Sequence, residues 1–285
     1  MSTGKHSQRG FAITALTAVL SVLAFIFILG YSSYYSKRQS LTLVQAQQEY
    51  IVEAKARLLE AYAANALQID SDLTYTAYRT EAAWLALGGI SKKWGISVDV
   101  SDRISREGVK YTSVTLWLPT EADGTNPRMF DAATGVFQSC STAPCPPRVY
   151  TTFDGLGVQL DARNKTFAIL NTAAVKAQAF FKARYLSEAI PDISVNHFRA
   201  PRGSCSAVSA EELPCIDTFT AIKNTTLPSL IGLDSQALTN AWGTDIEVTN
   251  FGGGANSFNS PYTMAFSTRD PWGGTPIVIY AVQPL

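Results

Sequence analysis

The distribution of apolar and polar residues divides the chain at two places. From Gly10 to Ser36 no side chain is charged, and residues 11–29 are almost continuously apolar. From Gln39 to Ile69 there is neither Pro nor Gly, and strong helix formers dominate ("QAQQEYIVEAKARLLEAYAANALQI"). Val44, Ile51, Leu58, Tyr62 and Ala66 fall on one stripe at spacings of seven, seven, four and four, with Glu49, Lys55 and Arg57 off it. This pattern predicts one helix of about 55 residues, roughly 80 Å long at 1.5 Å per residue. Its first part, 11–36, is apolar all round, and its second, 37–69, is amphipathic. Gly30 sits near the join and is the expected place for a bend.

Beyond Asp70 the periodicity shortens. Residues 77–89 ("AYRTEAAWLALGG") predict a short helix or packed loop closed by Gly88-Gly89. Ile96, Val98 and Val100 alternate with polar residues, as do Val114, Leu116 and Leu118, on either side of an Arg106-Glu107-Gly108 turn. Two adjacent antiparallel strands are expected there. Residues 119–147 are loop-rich, with a short strand expected at "GVFQSC". A helix over 167–190 stops at Pro191, and strands are expected at 245–249, 262–267 and 277–282, with Gly252-Gly253-Gly254 in a hairpin loop.

The fold class is therefore α+β: a long N-terminal helix on an antiparallel sheet head. The head divides into a first subdomain, 70–150, and a second, 151–285. Trp-Gly occurs at Trp94, Trp242 and Trp272, each time before an apolar strand ("WGISVDV", "WGTDIEV", "WGGTPIVIY"). Either a helix-plus-sheet unit is duplicated, or the dipeptide is a favoured entry to a strand, with Gly giving the turn and Trp covering an edge.

Composition narrows the function classes. In 285 residues, Lys plus Arg and Asp plus Glu are 23 each and no like-charge block stands out, so nucleic acid is not indicated as a partner. Four cysteines form two local pairs, Cys140 with Cys145 and Cys205 with Cys215, neither at a C-x-x-C spacing. They read as two disulfides of an exported protein, or as four reduced thiols of a cytosolic one.

The N-terminal run favours export. It is longer than the apolar core of a conventional secretion signal, about 7–15 residues, and lacks a clear small-residue cleavage site. At 19 residues, 11–29 nearly matches a hydrocarbon core of roughly 30 Å. Lys5 and Arg9 before the span favour a cytoplasmic N-terminus, although Lys37 and Arg38 follow it.

A short basic leader ending in Arg9-Gly10, then Phe11, then an apolar segment running into an amphipathic helix resembles type IV prepilins and type II secretion pseudopilins. "DPWGG" at 270–274 resembles a turn in the C-terminal sheet of such proteins. The resemblance implies a leader, 1–10, removed after Gly10 by a prepilin peptidase, and methylation of the new N-terminal Phe11. It implies a single pass of the bacterial inner membrane with an extracytoplasmic head, then an extracellular or periplasmic filament. Other pilin subunits would be partners through the N-terminal helix. Most family members carry Glu at the fifth mature position, which is Ala15 in this chain. Its absence is typical of minor subunits at a filament tip or initiating position.

No enzyme motif is present: there is no G-x-S-x-G, H-E-x-x-H, P-loop or dinucleotide fingerprint. One of the two histidines, His6, lies in the leader, and His197 stands alone in a loop, where a surface or capping role is expected. Asp154 and Asp161 could approach one another, yet turn and strand-edge roles explain both. No catalytic residue, metal site or cofactor is assigned, and the chain reads as a non-enzyme. The expected function is a structural minor pilin or pseudopilin subunit whose head presents a binding surface to a receptor or other surface, in adhesion or secretion. The alternatives are a single-pass anchored envelope protein with a ligand- or partner-binding head, and an anchored hydrolase using acidic residues.

Overall fold

The computed structural model describes residues 6–71, 74–119, 129–138, 140, 149–198, 215–251, 255 and 260–283. The class is α+β, a long apolar N-terminal helix with antiparallel sheets. Helix α1 (His6–Asp70) is 65 residues long. Four of the five stripe residues, Ile51, Leu58, Tyr62 and Ala66, are buried, whereas Val44 is exposed. The head reaches along α1 only as far as Tyr50, so the last buried turn of the stripe is at Ile51. Gly30 remains helical, and the one non-helical residue inside α1 is Asn65 (φ −121°, ψ 17°). The expected bend at Gly30 is therefore not formed; the break lies where α1 is already embedded. There the Asn65 side chain donates to the Ala61 carbonyl at 2.8 Å.

The first layer against α1 contains α2 (Glu81–Leu87) and a sheet of β1 (Ser97–Val100), β4 (Ser113–Trp117) and β7 (Tyr150–Asp154). Thr80 caps α2 by accepting from the Ala83 N–H. All pairings in the sheet are antiparallel, with Val98 opposite Leu116 and Val114 opposite Phe153. These residues share one face, and with Trp84 they close over Leu58 and Tyr62. The expected adjacency of the two strands holds, and their connection carries a further hairpin, β2 (Ile104–Arg106) with β3 (Val109–Tyr111). Glu107 and Gly108 both have positive φ, as a two-residue turn matched to strand twist requires. A second small hairpin pairs β5 (Met129–Asp131) with β6 (Val136–Gln138), the latter at the expected "GVFQSC" strand.

The second layer is built on α3 (Leu156–Ser187), which begins 11 residues before the expected helix. Gly155 and Gly157 suggest a turn, yet the Asp154 carboxylate accepts from the Leu156 N–H at 3.1 Å and the helix starts there. The α3 face of Thr166, Leu170, Ala173, Ala174, Ala177 and Phe181 is buried. Its alanines let the helix lie close to a four-stranded antiparallel sheet, ordered β11 (Ile277–Val282), β10 (Thr263–Thr268), β9 (Glu247–Thr249), β8 (Thr220–Ala221). Met264, Phe266, Val248, Ile279 and Ala281 form the facing side, with α4 (Leu227–Ile231) at its edge. The strands expected at 245–249, 262–267 and 277–282 are β9, β10 and β11. The expected glycine loop, Gly252-Gly253-Gly254, lies outside the described residues.

Each of the two layers follows a long helix with antiparallel strands. The three Trp-Gly glycines, Gly95, Gly243 and Gly273, all have φ between 69° and 80°. A left-handed turn into the next segment thus accounts for the recurring dipeptide by itself. A small third cluster joins the layers: Val109 and Ala162 with Trp242 and Trp272, whose rings meet edge to face at 5.5 Å.

Gly155 is a point where the layers constrain each other. A Cβ there would come within 1.9 Å of the Tyr62 hydroxyl oxygen. Gly155→Ala is expected to destabilise the fold by about 1–3 kcal/mol through overpacking, measured as a lower urea midpoint. An unchanged midpoint would show that this contact does not hold the helices in place.

Candidate functional site

Two features of α1 stand out from ordinary packing. The first is its N-terminal stem. From Val19 to Leu29 every large apolar side chain is more than half exposed, Phe27 reaching 76%. The helix over Val19–Asp70 is long and apolar enough to cross a membrane, with none of its most apolar window buried by the head. From Val19 to Tyr50 the stem extends about 47 Å. At its outer end the character changes within two turns. Tyr31 and Tyr35 rings lie 5.2 Å apart and the Arg38 guanidinium sits 5.7 Å from the Tyr34 ring. Aromatic then cationic side chains are the sequence in which a span meets a polar headgroup layer.

Gly10, Phe11 and Ala15 all lie on the helical backbone of α1. Of the cysteines, Cys140 and Cys215 are disulfide-bonded. Cys145 and Cys205 lie outside the described residues.

The second feature is a buried polar cluster at the other end of the same helix. Asp70, the last residue of α1, is fully buried. Its carboxylate accepts from the Tyr62 hydroxyl, from Thr112 Oγ1 at 2.6 Å and from Gln159 Nε2 at 2.7 Å. Gln159 also donates to the Ala66 carbonyl at 3.3 Å, while its Oε1 accepts from Trp242 Nε1 at 2.8 Å. Arg103 Nη1 donates to the Asp70 carbonyl at 3.0 Å. One side chain thus links α1, the β3–β4 connection and α3, and through Gln159 the link reaches Trp242 of the second layer.

Burial raises the Asp70 carboxyl above its ordinary value, opposed by the hydrogen bonds from Thr112, Tyr62 and Gln159 and by the Arg103 charge. Burial, reinforced by the Asp70 charge, also pushes the Tyr62 phenol well up and keeps it neutral. Both hydroxyls can donate or accept, so the cluster accommodates Asp70 in either protonation state. It holds elements together, with Asp70 itself fully buried.

Nothing in the local sequence pattern singles out this cluster by motif. The signal was present, because Asp70 continues the Leu58, Tyr62, Ala66 stripe at a further step of four. A carboxylate on a buried helical stripe calls for donors. His197, expected at the surface, is 3% exposed. Its backbone N–H donates to Gln283 Oε1 at 3.0 Å, and its ring meets Tyr185 edge to face at 5.7 Å. The end of α3 and the chain beyond β11 enclose it. Asp154 and Asp161 take separate roles, capping the start of α3 and pairing with Lys165. Among the described residues no group of three or more His, Cys, Asp or Glu side chains is arranged to hold a metal ion. No protein-family model, curated protein or solved structure matches the chain.

Proposed function

We propose that the chain is a minor pilin or pseudopilin subunit, held in the bacterial inner membrane by the stem of α1 before it enters a filament. The observation that carries this reading is the single helix His6–Asp70, bare and apolar from Val19 to Leu29 and locked into the head over its second half. A helix of this form moves from lipid to a bundle of like helices without exposing apolar surface to water. The process needs shape and hydrophobic match rather than catalytic groups, and the subunit is not an enzyme. Ala15 removes the carboxylate that other family members offer a neighbour's N-terminal amine. That supports a tip or initiating position, where no subunit lies ahead, and the large head then presents a binding surface.

The test is co-expression with a prepilin peptidase. The account expects the chain to lose residues 1–10, and Gly10→Leu to stay full length in the same membranes. Full-length chain in both cases would favour a simple single-pass anchor with a ligand-binding head.

The cysteine loops belong to the same reading, as local disulfides Cys140–Cys145 and Cys205–Cys215 formed after export. Peptide mapping without reduction is expected to recover these two pairs; a crossed pairing would overturn the assignment.

A further inference from the structure

We infer that the cleft between the β2–β3 hairpin, α3 and the Trp272 turn is a binding site for an acidic sugar, a pyranose ring bearing one carboxylate. It has a cavity volume of about 300 Å³ and is lined by Ser105, Lys110, Arg163, Asp270, Trp272 and Thr275 among others. That is the lower end of small-molecule sites, roughly 300–1,000 Å³, and suits one sugar unit.

Two observations set the chemistry. First, two cations line the cleft without an ion-pair partner among the described residues. Among the described residues Lys110 forms no side-chain hydrogen bond or ion pair, and Arg163 donates one N–H to the Glu107 carbonyl at 2.5 Å. Arg163 is held in place by that bond and by the Phe167 ring 5.7 Å away, leaving further N–H groups for a ligand. Glu107 itself pairs with Arg106. Secondly, the wall also carries one carboxylate, Asp270, fixed because its Oδ1 accepts from the Trp272 and Gly274 N–H groups at 3.2 and 2.9 Å.

Asp270 discriminates between anions. It repels a compact dianion such as phosphate but accepts hydrogen bonds from hydroxyl groups. A hydroxylated carboxylate satisfies both ends: carboxylate on Arg163 and Lys110, hydroxyls on Asp270, Ser105 and Thr275. The backbone is shaped to leave these groups room. A Cβ on Gly108 would meet Arg163 Nη1 at 2.9 Å, and one on Gly274 would meet Asp270 Oδ2 at 2.6 Å.

The site deepens the proposed role of the head as a binding surface and rests on that reading for its biological setting, but its chemistry is independent of the N-terminus. The test uses the full chain in detergent micelles, titrated with galacturonate and followed by calorimetry and tryptophan fluorescence. Saturable binding is expected, with galactose and phosphate each much weaker. Arg163→Gln and Lys110→Gln are each expected to weaken galacturonate binding by about 10- to 100-fold, the worth of a charged hydrogen bond. Their unfolding midpoints should match the unsubstituted chain. Absence of saturable binding, equal binding of galactose or phosphate, or binding insensitive to both substitutions would overturn the site. A chain that binds galacturonate but is never processed at Gly10 would keep this inference and overturn the pilin reading.

Discussion

Asp70→Ala is expected to lower the stability of the head by about 3–5 kcal/mol, a scale set by removing one member of a buried polar group and leaving its partners unpaired. The Tyr62 hydroxyl, Thr112 Oγ1 and Gln159 Nε2 would lose their common acceptor inside the fold. Gln159 and Trp242 would share the loss, because the second layer is tied in through the Gln159 side chain. Urea unfolding of the purified chain measures the effect, and a change below about 1 kcal/mol would mean that the cluster is incidental. The same residue sets a pH dependence. Its carboxyl is raised in the folded state, so folding favours the protonated form. The contribution is present in full below the ordinary carboxylate range and is lost as pH rises through the higher folded value. Asp70→Asn, which has no proton to lose, should remove that slope while keeping part of the hydrogen bonding. A slope unchanged in Asp70→Asn would assign it to another group.

The second large effect concerns the stem. Leu20→Arg places a charge within the apolar run, at a cost of about 2.5–3.5 kcal/mol for insertion at a span's centre. The substituted chain is expected to shift from the alkali-resistant membrane fraction toward the soluble one. Leu20 is 56% exposed and belongs to no core cluster, so the urea midpoint of the head should move by less than about 0.5 kcal/mol. The opposite pattern, full membrane retention with a destabilised head, would mean that this stretch packs on protein and does not cross lipid.

Sequence and structure agree most closely where the informative pattern is local. The Ile51, Leu58, Tyr62, Ala66 stripe repeats every turn or two, and the alternation of Ile96, Val98 and Val100 repeats every second residue. Such periods record a face directly. Val44 continues the same stripe but is exposed, because periodicity marks an apolar face without saying how far along it the head reaches. The start of α3 was hidden by Gly155 and Gly157, which locally favour a turn. Gly155 is dictated instead by Tyr62, far away in sequence. The Asp70 cluster was illegible for the same reason, since its donors stand 42 and 89 residues further on, at Thr112 and Gln159. In the cleft, Lys110, Arg163 and Trp272 likewise come from three separate segments. Local patterning names the elements, and only their packing brings these side chains together.

The measurement closest to the central claim is the intact mass and N-terminal residue of the protein taken from its own membranes. The account predicts a chain that begins at methylated Phe11, with residues 1–10 absent. A chain that begins at Met1 with no methyl group would contradict it, leaving α1 as a simple anchor and Ala15 without special meaning.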